Sequence, residues 1–145
     1  NAVETAVQQL DMTPLQRDQA LALMEERHES YERIGDAMKV ITRELRSDTP
    51  DLAKVRQNAG TIAEFAPRVP SLFPAGTGPD VGKTEAKADI WAKPQDFADK
   101  AHAFNQQAQA FNAAAQGSDV AAIKAAHADL GKACKACHDL YREEH

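Results

Sequence analysis

Two cysteines stand three residues apart, Cys134 and Cys137, and His138 follows directly; the chain has no other cysteine. On a helix, positions three and four apart share a face, so both thiols and the imidazole project together. C-x-x-C-H is the attachment pattern of a c-type haem. The thiols suit thioether bonds to the haem vinyl groups, and the imidazole suits axial ligation of the iron. A thioredoxin-like C-x-x-C needs a βαβ context, with the motif opening a helix. Here it lies deep in an alanine-rich segment. A zinc site needs a fourth ligand at finger-like spacing. The other histidines, at 28, 102, 127 and 145, are isolated. With only two cysteines, no disulfide framework exists.

The elements that must carry these groups read as helices. Alanine occurs 28 times, against 7 Val, 5 Ile and 7 Thr. Alanine is the best helix former, whereas β-branched residues carry most strand signal. No segment alternates convincingly with period two. Thr13, Pro14 and Gln16 form a helix start with a capping box. From there a seam runs Ala20, Met24, Arg27, Tyr31, Ile34, Met38, Ile41, Leu45, stepping by four and three. Ser47-Asp48-Thr49-Pro50 makes a turn, and Leu52, Val55, Ala59, Ile62 and Phe65 share the next helix face. A third seam joins Phe97, Ala101, Phe104, Ala108, Phe111 and Ala115; Pro94 either starts that helix or kinks a longer one containing Trp91. Gly117 ends it, and Ser118 with Asp119 caps a fourth helix. That seam runs Val120, Ile123, His127, Leu130, Cys134, Cys137, Tyr141. Four such helices with three connections predict an all-α, antiparallel four-helix bundle. Alternating Phe and Ala on the third helix leave room for side chains or for a flat cofactor.

The 145 residues fit a single domain. Residues 1–12 are a short N-terminal extension. Residues 67–83 hold four prolines and three glycines and read as one long loop, with the second helix stopping by Pro67. In that loop Val69, Leu72 and Phe73 suggest packing onto something apolar. Asp and Glu total 22 against 17 Lys and Arg, a net charge of −5. That balance argues against nucleic acid or an anionic membrane, both of which need a basic patch. No apolar run approaches the ~18 residues of a membrane span.

One seam residue is wrong for a plain core. A buried guanidinium at Arg27 needs an anionic partner unless it snorkels to the surface.

From about Ala20 to Arg142 the sequence resembles the class II c-type cytochromes, and among them the cytochromes c′. The resemblance rests on the run Cys134-Lys135-Ala136-Cys137-His138-Asp139-Leu140-Tyr141-Arg142. It rests also on Arg27, Tyr31, Gly35 and Met38 in the first helix, and on Leu72-Phe73-Pro74 with Ile90-Trp91. It implies one covalent haem c on Cys134 and Cys137, with His138 as axial ligand. It places Arg27 near the haem propionates and Tyr31 over the sixth position, where low-spin relatives carry methionine. Tyr31 would then be a non-ligating plug over five-coordinate, high-spin iron. Such an iron binds NO or CO and passes single electrons. The alternative is a low-spin, six-coordinate carrier using Met24, Met38 or His28. Met24, Trp91 and Phe104 would wall the haem, His127 would be a core or pocket-wall residue, and Arg142 would be a basic residue on the proximal side. Catalysis is not expected, because no distal His/Arg acid–base pair is recognisable beside Tyr31. The resemblance further implies a homodimer through the first two helices, where Leu23 and Val40 lie off the seam, an unidentified redox partner, and a periplasmic location. On that reading Asn1 begins the mature chain.

Overall fold

The computed structural model describes residues 14–73, 77, 78, 84 and 86–141. The expected N-terminal extension and the capping threonine Thr13 lie outside the described residues, as does Arg142. Pro14 opens the first helix, α1 (Pro14–Arg46). At 1.5 Å per residue its 33 residues span about 50 Å. A turn follows in which the Ser47 hydroxyl accepts from Thr49 N at 3.1 Å. Asp51 then caps α2 (Leu52–Phe65), accepting from Ala53 N and Lys54 N. The Asp51 amide donates back to Glu44 Oε1 at 3.0 Å, which ties the two helix ends together.

The chain does not turn into a loop at Pro67. A 3₁₀ helix, Ala66–Leu72, continues from α2 with Pro67 near its start and Pro70 inside. Proline supplies a helical φ, and the loss of its N–H costs little in so short a run. This segment buries Ala66, Val69 and Leu72. Two of the three expected apolar anchors of the loop, Val69 and Leu72, therefore lie in regular structure. A single turn, α3 (Asp89–Ala92), precedes α4 (Pro94–Ala115). Pro94 thus starts the third long helix rather than kinking a longer one. Asp119 caps α5 (Val120–Tyr141), accepting from Ala122 N at 3.2 Å.

The four long helices form an antiparallel four-helix bundle. All six predicted seam positions of α4 are buried, from Phe97 to Ala115. On α1 the seam drifts. Ser30 and Ala37 are buried where Tyr31 and Met38 were expected to be, and these two are only half-buried. A straight helix with 3.6 residues per turn slips ~20° per heptad against a 3.5 repeat. Helix α1 packs on α2, α2 on α4 and α4 on α5. The fourth edge, between α1 and α5, makes few close backbone approaches, and it is there that the functional groups gather. Among the described residues no helix is long and apolar enough to cross a membrane.

Candidate haem site

The open α1–α5 edge holds a cleft of about 1390 Å³. It is larger than the ~300–1,000 Å³ of ordinary small-molecule pockets. From α5 it is lined by Cys134, Cys137 and His138, and from α1 by Met24, Arg27, Tyr31 and Met38. Phe97, Ala101 and Phe104 of α4 form the floor, and Phe73, Thr84 and Ile90 close one side. The cleft divides the apolar interior. Ala20 and Met24 form a buried pair of their own, while the main core begins at Ile34. Walls that are largely apolar, with two thiols and an imidazole on one helix face, match the needs of a covalently bound haem.

Both cysteines are free and half-buried. Burial pushes each thiol up to about 11. At Cys137, Lys100 pulls against that shift and Asp96 adds to it. These two form an ion pair of 2.8 Å on α4, a neighbour of the motif that the periodicity of α4 does not reveal.

Arg27 is buried, at 3 % exposure, so it does not snorkel. Nor does it meet a carboxylate among the described residues. Its Nη1 donates to Leu72 O at 3.1 Å and Thr77 Oγ1 at 3.0 Å, and its Nη2 to Thr77 O at 2.8 Å and Thr84 Oγ1 at 2.9 Å. The guanidinium carbon sits 4.6 Å from the Phe73 ring centroid and 5.8 Å from that of Trp91. The expected anionic partner is replaced by four neutral acceptors and two aromatic faces. Burial pulls the guanidinium down to about 10, yet it remains cationic at neutral pH. Its charge is therefore delocalised over the loop but not cancelled.

Tyr31 leans on Phe73 edge to face, at 6.1 Å between centroids, and Phe73 meets Phe97 at 4.7 Å. Burial holds the phenol well above its ordinary value, with Cys137 adding to the shift and Arg27 opposing it. A phenolate, the form that ligates iron, is disfavoured accordingly. Met24 and Phe104 line the cleft as expected. Trp91 does not line it; the indole donates to Phe73 O at 3.0 Å and packs over Gly78, where a Cβ would come within 3.3 Å of the ring. It stiffens the wall from behind. His28 is exposed on α1, with Nε2 2.8 Å from Glu32 Oε1. His127 is outside the cleft, with Nε2 3.1 Å from Thr42 Oγ1. Phe73, Thr77 and Thr84 are the residues that the seams could not supply.

Bundle and site together define a c-type haem protein built on four antiparallel helices. Residues 22–142 match the family described as cytochrome c′. The chain is 35% identical over 122 residues to cytochrome c′ of Pararhodospirillum photometricum, covering 84% of this chain and 97% of that one. A crystal structure of a cytochrome c′ with ligand-controlled dimer dissociation superposes with a TM-score of 0.79 at 29% identity, over 86% of this chain and 97% of that one. A nitric oxide complex of a variant cytochrome c′ from Alcaligenes xylosoxidans superposes with a TM-score of 0.77 at 25% identity, over 87% and 97%. The chain belongs to the cytochrome c′ family, whose members carry one covalently bound c-type haem.

Proposed function

We propose that this chain is a periplasmic haem protein that binds a small diatomic gas, NO or CO, and passes single electrons. Cys134 and Cys137 tether the haem through thioethers, and His138 is the axial ligand. A haem held there would supply one iron for gas binding and single-electron exchange. Tyr31, which lines the cleft from α1, would act as a neutral, non-ligating plug and leave such an iron five-coordinate. Arg27 offers its uncancelled charge to the propionates while holding the loop that closes the cleft. Arg142, four residues after His138 in the sequence and outside the described residues, would add positive charge on the proximal side. The single observation that carries this reading is the shared cleft. The C-x-x-C-H face of α5 opens onto it, and Tyr31 lies at the middle of the α1 residues facing it. Met24 and Met38 stand one heptad to either side, about 10.5 Å along the axis. The nitric oxide complex of the Alcaligenes relative supports gas binding here.

The relative with ligand-controlled dimer dissociation supports a homodimer. Its contact would use α1 and α2, where Leu21 is 37% exposed and Leu23 and Val40 are half-buried. The visible spectrum of the purified ferrous protein tests the coordination. A broad single band of high-spin haem is expected; sharp, split α and β bands would establish the six-coordinate alternative.

A further inference from the structure

Helix α1 is charged unevenly. From 18 to 36 its exposed acids are Asp18, Glu25, Glu26, Glu29, Glu32 and Asp36. Beyond them Lys39, Arg43 and Arg46 recur at spacings of four and three, so they share one face. All three are exposed, and none forms an ion pair among the described residues. They rim a surface hollow of about 420 Å³ with Met38 and Thr42. Thr42 bonds to His127 of α5, so the hollow lies along the α1–α5 edge. On α5, Lys135 is exposed and lines the adjoining cleft, and Lys124 is exposed one turn before His127. Met38 and Lys39 line both the hollow and the haem cleft. The hollow is therefore an extension of the cleft rim.

In a chain of net charge −5, this is a local concentration of positive charge around an apolar patch. The helix macrodipole favours basic residues in the last turn, which accounts for Arg43 and Arg46. It does not account for Lys39, two turns from the end, or for the lysines of α5. The patch is too small for nucleic acid, where specific binders neutralise ~6–10 phosphates. An apolar centre inside a charged rim is the anatomy of a protein interface. Glu25, Glu32 and Asp36 line the cleft itself, so the uniform positive sign belongs to the hollow, where it selects the opposite sign on the partner and steers its approach.

We propose that the face formed by Lys39, Arg43 and Arg46, continued along the cleft by Lys135, docks an acidic one-electron redox protein at the rim of the haem cleft. This rests on the electron-transfer part of the function proposed above. In the exchange the donor loses one electron and the ferric iron gains it; no bond forms between the proteins.

The test uses the holoprotein and a flavodoxin as the acidic probe. Titration of the ¹⁵N-labelled ferric protein with oxidised flavodoxin should shift amides at Lys39, Arg43, Arg46 and Lys135, and the shifts should weaken with added salt. Electron transfer from flavodoxin hydroquinone, which becomes the semiquinone, should slow at least ~tenfold in K39E/R43E/R46E at low salt. The control K54E/R68E/K87E changes net charge equally at residues outside the hollow, and should bind and react as wild type. Unchanged haem spectra verify that both variants fold. Equal slowing in both variants, or shifts mapping elsewhere, would overturn the proposal. If the amides shift as expected but no form of the protein accepts an electron, the docking face stands as a protein-binding surface. It is then the electron-transfer reading that falls.

Discussion

Arg27 grips Thr77 at two points, donating from Nη1 to the hydroxyl at 3.0 Å and from Nη2 to the carbonyl at 2.8 Å. A planar fork makes both bonds in one orientation, which an ammonium cannot do. Arg27→Lys should therefore keep the charge and lose the grip. Hydrogen bonds to charged groups contribute about 1.5–3 kcal/mol each, so a loss of at least ~2 kcal/mol is expected by urea denaturation. Thr77→Val removes one acceptor and should cost about 1.5 kcal/mol. If Arg27→Lys is as stable as wild type, the loop is held by something else.

Tyr31 and Phe73 form one aromatic unit, since Phe73 touches Tyr31, Phe97 and the Arg27 guanidinium. Displacing Tyr31, the proposed distal plug, requires moving a ring that the loop and Arg27 hold. Tyr31→Ala should speed CO association with the ferrous protein about tenfold, a barrier change of ~1.4 kcal/mol. Tyr31→Phe keeps the ring and should leave the rate near wild type. Phe73→Ala should speed association as well, through a looser Tyr31. Flash photolysis measures all three. An unchanged rate in Tyr31→Ala would show that the distal face is not limited by this side chain.

How much of this was legible in the sequence depends on how far apart the partners lie. Helix α4 is read correctly from Phe97 to Ala115 because one helix face suffices to specify it. The motif Cys134 to His138 is equally local, and its shared face follows from helix geometry alone. Arg27 was legible as an anomaly, but its solution was not. Its acceptors are 45, 50 and 57 residues away, in a segment without periodicity. The place of Trp91 was hidden for the same reason: its indole answers to Phe73 and Gly78 of that segment. The 3₁₀ helix at Ala66–Leu72 escaped because two prolines in seven residues read as a stop. They stop an α-helix, not a tighter one.

The proposed attachment at Cys134 and Cys137 gives a prediction with a chemical readout. Thioether bonds survive denaturation, whereas ligation by His138 does not. Haem should stay with the wild-type chain in acidified organic solvent. In C134A/C137A all of it should be extracted. Each single variant should retain one bond and show a shifted haem absorption spectrum. Haem that remains attached in the double variant would place the covalent link elsewhere.

His127 gives the pH dependence. Burial, reinforced by the positive charge of Arg46, holds this imidazole below its ordinary value of 6.5. Its Nε2 lies 3.1 Å from the Thr42 hydroxyl, across the otherwise sparse α1–α5 edge. A histidine whose folded pKa is depressed stabilises the fold when neutral. Above 6.5 it is neutral in both states, and its full contribution is present. As the pH falls below 6.5 the unfolded chain takes up the proton first, and stability declines until the folded imidazole protonates too. Denaturation midpoints should therefore drop as the pH is lowered from 6.5 towards 5, and recover on return. His127→Gln keeps a hydrogen-bonding group for Thr42 but cannot titrate, so its midpoint should fall less over the same interval. If the variant and wild type fall in parallel, the acid sensitivity belongs to another group and the Thr42–His127 bond is only a spacer between α1 and α5.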